Sequence, residues 1–500
     1  MSIESKSWVE YQSFSNRSAE HHNGKGSNHG LRKNTLTAMS IIFFIIAAAS
    51  PLTGVIAIVP IMISDGNGNA AAWDFLLAAS VLLIFAVGYI AMSKKITNAG
   101  ALYSFVTAGL GRSFGLGTAT LTIFAYTAIQ AGLYGGFGYY AHSLIPTIMG
   151  INVDWWVYAL IAMGLCLWLA LHGVHSGAMV LGFLLTLETA MLLILATGII
   201  MHSSLEVGQH ILQFPTVGEI FSPGLGTGIM FACATFIGFE GGAIYSEEAK
   251  DPEKTISRAT YTSVIFMAMV YFGVAWLITG FLGSDHAVQI AKEQSGNLIF
   301  FIASKALGGW TTMAFNVFIV TSLFAAIVTF HNNIARYFYS LGRQKLFWKA
   351  LGYTRKKKQT PYIASFVQTA IAAVIVLTFA VAKMDPYATL FAWMTGAGTI
   401  AIVLAQVVSA VAIFAYFRKH KSDQRVWHTK VAPLLAIVGL SVFFYLTVMS
   451  TQMLLGIGSL GSAIFVAIII AFFLFGLLYS AWLHKFSPEN YQRISELAVD

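Results

Sequence analysis

Long apolar runs recur along the chain from about residue 36 to residue 483. A helix needs roughly 20 apolar residues to cross a hydrocarbon core about 30 Å thick, and most of these runs have that length. The sequence therefore predicts an all-α polytopic membrane protein with about twelve transmembrane helices, at 36–63, 74–93, 113–143, 154–172, 177–201, 227–249, 258–283, 298–342, 362–383, 388–417, 430–450 and 457–483, and a short helix at 98–110.

The composition supports a membrane environment. Hydrophobic residues make up 57% of the 500-residue chain and charged residues only 10%, against about 25% charged residues in soluble domains. The net charge of +8 is explained by basic loops of a membrane protein, so a nucleic-acid partner is not expected. Cys166 and Cys233 lie inside apolar runs and are predicted to be small buried residues that form neither a disulfide nor a metal site.

The basic residues predict the orientation of the spans. If both termini face the cytoplasm, every lysine and arginine lies on the inner side except Lys292, Lys305 and Lys383. Positively charged loops remain in the cytoplasm, so both termini are predicted to be cytoplasmic, in the plasma (inner) membrane with lipids around the chain. Polar cytoplasmic tails are expected at 1–35, which has no signal-peptide pattern, and at 484–500.

Two spans carry sequences that interrupt a helix. Residues 47–54 contain Pro51, which lacks an N–H and clashes with the preceding helical turn. Residues 236–242 contain three glycines, each of which weakens a helix interior by about 1 kcal/mol. Because these spans begin two five-helix halves, at 36–201 and 227–417, the paired interruptions indicate a transport site. The alternative is a proline kink and close glycine packing, which are both common in membrane helices.

The backbone chemistry of such breaks suits one kind of ligand. An unwound turn leaves N–H and C=O groups without helical partners, and these groups must face protein, water or substrate because hydrocarbon offers none. The half-helix that starts after a break points its positive end at the gap, and the half that ends there offers carbonyl groups. A zwitterionic amino acid therefore fits such a site without any charged side chain.

Several segments resemble motifs of a known family. Residues 238–240 (GFE) and 247–256 (EEAKDPEKTI) resemble the sixth-helix signature of the amino acid–polyamine–organocation transporters. Residues 97–103 (TNAGALY) and 331–343 (HNNIARYFYSLGR) are also similar to that family. The resemblance implies an inverted-repeat fold with a 5+5 core, two peripheral helices at 430–483, and alternating-access transport of amino acids or related amines.

The predicted substrate site consists of the two breaks and the side chains expected beside them. Tyr126, Gln130 and Tyr134 share one face of span three at four-residue spacing, where they line either the cavity or a packing interface. The resemblance implies aromatic gates at Phe330 and Trp393, for which core packing is the alternative. The predicted substrate-binding residues are Ala49, Ser50, Pro51, Leu52, Thr53, Gly54, Tyr126, Gln130, Ile237, Gly238, Phe239, Glu240, Gly241, Phe330 and Trp393.

Two carboxylates inside predicted spans are candidates for proton coupling. Glu188 lies in the middle of span five and Glu240 lies in the break of span six, where an ionised group is costly unless it is paired. Glu240 is favoured because a break moves during alternating access. The structural alternatives are a Glu188 that holds helices together and a Glu240 that binds loose N–H groups. Sodium would need convergent oxygens, for which only the hydroxyls of 321–322 are candidates.

Other function classes lack their motifs. The chain has no G-x-x-x-x-G-K-[ST] phosphate loop and no H-E-x-x-H metal motif, so neither an ATP-driven pump nor a membrane enzyme is expected, and no cofactor or metal is implied. The predicted function is secondary transport of a neutral or modestly sized amino acid, proton-linked or by exchange. A polyamine or organocation transporter and an amino-acid sensor that binds without transport remain as alternatives.

Overall fold

The computed structural model describes residues 36–96, 102–172, 175–201, 205–283, 286–355, 360–420 and 425–494. Within these ranges the fold is all-helical, and the predicted twelve-span architecture is confirmed. Twelve helices have the length and apolar composition to cross a membrane, and they are numbered spans 1 to 12 in chain order: Ala38–Ser64, Gly68–Ser93, Arg112–Met149, Trp155–His172, Gly182–Met201, Leu225–Tyr245, Pro252–Leu282, Trp310–Arg343, Tyr362–Val381, Pro386–Lys419, Trp427–Leu455 and Ser459–Phe486.

Shorter helices connect the spans. The helix that contributes span 5 begins earlier, at His175, and runs to Met201. The short helix predicted at 98–110 is described from Leu102, while 97–101 and the predicted tail at 1–35 lie outside the described residues. The connecting helices are Leu102–Leu110, Leu205–Leu212, Val217–Ile220, Ala287–Gln294, Leu298–Leu307, Lys349–Gly352 and Pro488–Arg493.

The spans differ in how deeply they are buried. In the most apolar stretch of 18 residues, 89% of span 1 and 94% of span 6 are buried inside the protein, whereas only 17% of span 12 is buried. Span 12 presents large apolar side chains such as Leu460, Leu478 and Trp482 outward. An apolar surface of this extent is suited to lipid rather than water. Spans 1, 3 and 6 therefore form the centre of the molecule, and span 12 lies at its periphery.

Span 8 is shorter than the sequence predicts. The apolar run from 298 suggests one long helix, but the structure ends a separate helix at Leu307 and starts span 8 at Trp310. Gly308 between them has φ of +95°, a conformation that a side chain would disfavour and that a helix cannot contain. Gly308 therefore ends the first of these helices, although the chain is apolar on both sides of it.

The helix ends near the centre are set by local chemistry. Thr37 caps span 1 by accepting a hydrogen bond from the Ser40 N–H at 3.3 Å. Asp251 caps span 7 in the same way, accepting from the Lys254 N–H at 3.5 Å, and Pro252 follows at the first helical position. These caps satisfy N–H groups that have no partner inside the helix. They fix the starts of spans 1 and 7, and the start of span 1 lies beside the end of the segment that follows the break in span 6, where the Leu36 N–H donates to the Glu248 carbonyl at 3.0 Å.

Candidate functional site

Span 1 is broken at Ser50. Its first helical segment ends at Ala49, Ser50 adopts a left-handed conformation with φ of 49°, and the helix restarts at Pro51. Pro51 has no N–H to donate and its ring excludes the preceding turn, which is why the chain leaves the helix one residue earlier. The carbonyl of Ala49 accepts instead from the Tyr271 hydroxyl at 2.9 Å. The interruption predicted from the sequence is present, and part of its backbone is satisfied by span 7.

Span 6 is broken two residues after its first helical segment. That segment, Leu225–Phe236, is followed by an extended Ile237 and by Gly238 with φ of +114°. The chain then continues as a 3₁₀-helix over Glu240–Glu248. A positive φ of this size is accessible to glycine and strained for a residue with a Cβ atom. The second interruption is therefore also present, and Gly238 provides its sharp turn.

The two breaks touch each other. A Cβ atom built on Gly238 would lie 2.6 Å from the Cβ of Ala48, and one built on Gly242 would lie 3.0 Å from the Cδ1 of Ile45. A Cβ atom does not approach another atom to which it is not bonded this closely, so only glycine at 238 permits the contact with Ala48. The structure thus brings the predicted residues at 49–54 and 237–241 together at the centre of the protein.

Glu240 is enclosed at the break of span 6. Its side chain has no solvent exposure, and its carboxylate accepts from the Gly238 N–H at 3.2 Å and from the Tyr126 hydroxyl at 2.9 Å. Its backbone carbonyl accepts from the hydroxyl of Tyr89. This geometry matches the structural alternative, in which Glu240 binds loose N–H groups of the break, and it places Tyr126 of span 3 directly at the site.

Aromatic side chains surround this carboxylate. The ring of Tyr126 lies 5.6 Å from that of Phe330 and 5.7 Å from that of Tyr337, with edge-to-face geometry in both pairs. Tyr103 packs on Tyr337 at 5.3 Å, and its hydroxyl donates to Ser340 at 2.6 Å. The sequence analysis missed Tyr89, Tyr103 and Tyr337 as neighbours of the site. Tyr103 and Tyr337 lie in the segments 97–103 and 331–343 that resemble family motifs, and this resemblance is the sequence feature that could have identified them.

Glu188 reaches the other break. Its carboxylate accepts from the Ser322 hydroxyl at 2.7 Å. The hydroxyl oxygens of Ser50 and Ser322 are hydrogen-bonded at 2.6 Å. The Ser50 hydroxyl also donates to the Oγ1 of Thr53 at 2.7 Å. A polar cluster from spans 1, 5 and 8 therefore lies along one side of the first break, and Glu188 is part of it.

Other predicted residues lie further from this cluster. Gln130 accepts from Gln368 of span 9 at 2.6 Å and donates to the Ile327 carbonyl at 3.2 Å, so it joins spans 3, 8 and 9. Trp393 is partly buried beside Phe379, with ring centroids 6.4 Å apart. Thr321 bonds back to Phe318 in its own helix at 2.9 Å, as paired hydroxyls in membrane helices often do. Only Ser322 of the predicted hydroxyl pair contacts the first break.

Both carboxylates lie in an environment that disfavours charge. Glu188 is 3% exposed and Glu240 is fully buried, and the partners described above are neutral hydroxyl and N–H groups. An ionised carboxylate that is buried in a membrane span without a cation is costly. Across the described residues, no set of three or more His, Cys, Asp and Glu side chains is arranged to hold a metal ion. The contacts that the structure shows at these two carboxylates are hydrogen bonds to neutral groups.

Twelve spans with two interrupted helices meeting at the centre define the class of this protein: an integral membrane permease. A family model for amino acid permeases matches residues 35–475. The chain therefore belongs to the amino acid permease family, which consists of transporters rather than enzymes.

The named relatives of this chain transport different molecules, according to their names. The chain is 22% identical over 355 residues to the low-affinity putrescine importer PlaP of Escherichia coli, covering 68% of this chain and 74% of that relative. It is 21% identical over 386 residues to the serine/threonine exchanger SteT of Bacillus subtilis, and 24% identical over 412 residues to the branched-chain amino acid permease BcaP of Lactococcus lactis. Each of these alignments covers 76% of this chain and 83% of the relative.

Proposed function

We propose that this protein is a secondary active transporter that moves amino acids or related amines across a membrane by alternating access. The observation that carries the proposal is the direct contact between two interrupted helices, with Gly238 of one break packed on Ala48 beside the other. Adjacent breaks of this kind supply backbone donors and acceptors at one place in the membrane. Membership of the amino acid permease family supports the same function.

The proposed site holds the main-chain groups of the substrate. The helix that restarts at Pro51 offers its positive end to a carboxylate, and the segment that ends at Phe236 offers carbonyl groups to an ammonium group. Tyr126 and Phe330 line the site from spans 3 and 8. The residues at 49–54 and 237–241 remain the proposed binding set, and Gln130 and Trp393 are assigned to its outer surroundings because their described contacts lie at other helix interfaces.

A transport assay separates a carrier from a sensor. Thermal-shift screening across amino acids and polyamines identifies a ligand, because a bound ligand stabilises the folded state. The purified full-length protein is then placed in liposomes preloaded with that ligand unlabelled, and the labelled ligand is added outside. Counterflow of the label supports the carrier. Binding without counterflow would leave a sensor as the better description.

We expect neutral or modestly sized amino acids to compete for this site better than polyamines. Glu240 and Glu188 have neutral partners, so each is expected to bind a proton rather than to balance a second charge on the substrate. The test measures competition against a labelled substrate by serine, leucine, ornithine and putrescine at equal concentration. Competition by ornithine or putrescine, with none from a neutral amino acid, would instead support the polyamine alternative and make the carboxylates its amine ligands.

The proposed orientation places both termini in the cytoplasm and 202–226 outside. Gly208 lies on the helix Leu205–Leu212, and an added Cβ atom there would meet no other atom within 4 Å. A Gly208→Cys variant should therefore react with a membrane-impermeant thiol reagent in intact cells. A Lys357→Cys variant, at a position outside the described residues, should react only after the cells are permeabilised. The opposite labelling pattern would reverse the topology.

A further inference from the structure

A cavity opens at the end of the molecule that is proposed to face outside, apart from the two breaks. Its volume is about 400 Å³, counted to its open mouth, which is in the usual range for small-ligand pockets. One wall is formed by the outer ends of spans 2 and 7, and the other by the chain between spans 5 and 6. The lining includes Asn69, His210, Gln213, Phe214, Glu219 and Thr279.

The wall formed by residues 210–222, here called the outer segment, is fixed near both of its ends. The Trp276 indole N–H of span 7 donates to the Ile211 carbonyl at 2.8 Å. At the other end, the Nδ2 of Asn67 donates to the Ile220 carbonyl at 2.9 Å. The cavity therefore lies between the spans and a wall that is bonded to them, so its lining groups are held in place before a ligand arrives.

Glu219 gives the cavity a negative charge. Its Oε2 accepts from the backbone N–H of Thr216 at 2.6 Å and from the Thr216 hydroxyl at 2.7 Å. These two hydrogen bonds lower the pKa of the Glu219 carboxyl below its ordinary value, so the group is ionised at neutral pH. Both bonds fall on Oε2, which leaves Oε1 for a ligand. None of the described residues that line the cavity is a lysine or an arginine, so the charge attracts a cation.

The Phe214 ring is a second feature that suits a cation. Phe214 lines the cavity and is 69% exposed. Its ring centroid lies 5.1 Å from that of Trp276 and 6.3 Å from that of Trp73, and these two tryptophans are 5.8 Å apart. The tryptophans of spans 2 and 7 thus support the Phe214 ring on the same side of the outer segment as the cavity. The face of an aromatic ring attracts cations and is used to recognise quaternary ammonium groups.

We propose that this cavity binds a small organic ammonium ion, whose charge is balanced by the Glu219 carboxylate and whose apolar groups contact the Phe214 ring. An inorganic cation is more strongly hydrated and gains little from the ring, so the pair of features favours an organic one. The cavity shares no residue with the two breaks, and binding there does not depend on the transport proposed above.

Tetramethylammonium is a suitable probe because it has the charge and the apolar surface but neither the carboxylate nor the N–H donors that the proposed substrate site binds. Saturation-transfer NMR on its methyl protons measures weak binding to the purified full-length protein in a maltoside detergent. We expect saturable binding by the wild-type protein and by Gly238→Leu, in which the space between the two breaks is filled. Loss of binding in Gly238→Leu would place the probe at the breaks and overturn the proposal.

Variants of the two lining residues test their roles. Glu219→Gln should weaken binding about fivefold, as for the loss of an exposed ion pair, and glutamine still accepts the Thr216 N–H, so the outer segment stays folded. Phe214→Leu should weaken binding about threefold, whereas Phe214→Tyr keeps the ring and should bind as the wild type does. Glu293→Gln removes an exposed carboxylate on the helix Ala287–Gln294 and should have no effect.

Charge dependence provides a measurement that needs no variant. tert-Butanol has a similar shape without the charge and should bind much more weakly than tetramethylammonium. Raising the salt concentration from about 50 mM to about 500 mM should weaken wild-type binding of the probe, because salt screens exposed charges, and should change binding to Glu219→Gln little. Equal binding of the two probes, wild-type binding that ignores salt, or full affinity in a well-folded Glu219→Gln would each show that the proposal is wrong. The measurement involves no transport, so its failure is distinguishable from a failed counterflow assay.

Discussion

Gly238→Leu is expected to abolish substrate binding and transport. Gly238 has φ of +114°, and its missing side chain leaves room for Ala48, whose Cβ would otherwise be 2.6 Å away. A Leu side chain would push the two breaks apart and occupy the space between them. The loss should be on the order of 100-fold in affinity, because backbone strain of about 1–2 kcal/mol adds to an overpacking cost of about 1–3 kcal/mol, and each ~1.4 kcal/mol is a factor of ten. Ligand-induced thermal stabilisation measures the binding, and liposome counterflow measures the transport.

Matched variants separate this effect from general damage. Gly164→Leu makes the same change in span 4, where an added Cβ meets nothing within 4 Å, and it should bind normally. Gly238→Ala should weaken binding less than leucine, and adding Ala48→Gly should recover part of the loss. The recovery is partial because removing the Ala48 methyl group relieves the contact but not the backbone strain at 238, about 1–2 kcal/mol. Normal binding by well-folded Gly238→Leu would remove span 6 from the site.

Glu240→Gln is expected to uncouple uptake from a proton gradient while exchange of substrate continues. Glutamine keeps the size of the side chain, and its single carbonyl oxygen can accept from the Gly238 N–H while its NH2 group donates to the Tyr126 hydroxyl oxygen, but it cannot release a proton. Glu240 lies in the break of span 6, and its surroundings are expected to change as that break moves during alternating access. The measurement compares uptake driven by an imposed pH difference with counterflow at equal pH.

Glu188→Gln tests the second buried carboxylate in the same assay. Glu188 accepts from the Ser322 hydroxyl, which is itself hydrogen-bonded to Ser50. It therefore also reaches a break, although span 5 itself is continuous. Glu293→Gln, at an exposed position on the helix Ala287–Gln294, controls for a change in charge and should leave coupling intact. If both buried variants keep full pH-driven accumulation, neither carboxylate couples transport to protons. If wild-type transport ignores pH, an exchanger is the better description.

The division into two inverted five-helix repeats at 36–201 and 227–417, with two peripheral helices at 430–483, remains a prediction. The outward-facing span 12 agrees with a peripheral position. Chain tails at 1–35 and beyond 494 lie outside the described residues. Within the described part, the helix count and the two interruptions are the features that sequence reasoning anticipated best.

The sequence alone determined the number of spans and the places where two of them break. Hydrophobic length is a local property that the bilayer thickness imposes on each helix separately. Pro51 interrupts a helix through its own covalent geometry, and Gly238 allows a backbone conformation that other residues resist. These effects act within a few residues of the chain, so they are readable without knowing which helices become neighbours.

Only the tertiary structure decided which side chains meet at the breaks. Glu188 bonds to Ser322, 134 residues away, and Arg336 bonds to Glu248, 88 residues away. Such contacts depend on the rotation of each helix about its axis and on the angle at which helices cross, which small residues at close contacts control. Hydropathy carries little of this information because every face of a central membrane helix is apolar. For the same reason the sequence left cavity lining and packing open for one face of span 3, on which Gln130 bonds to Gln368 of span 9 and Tyr126, four residues earlier, bonds to Glu240.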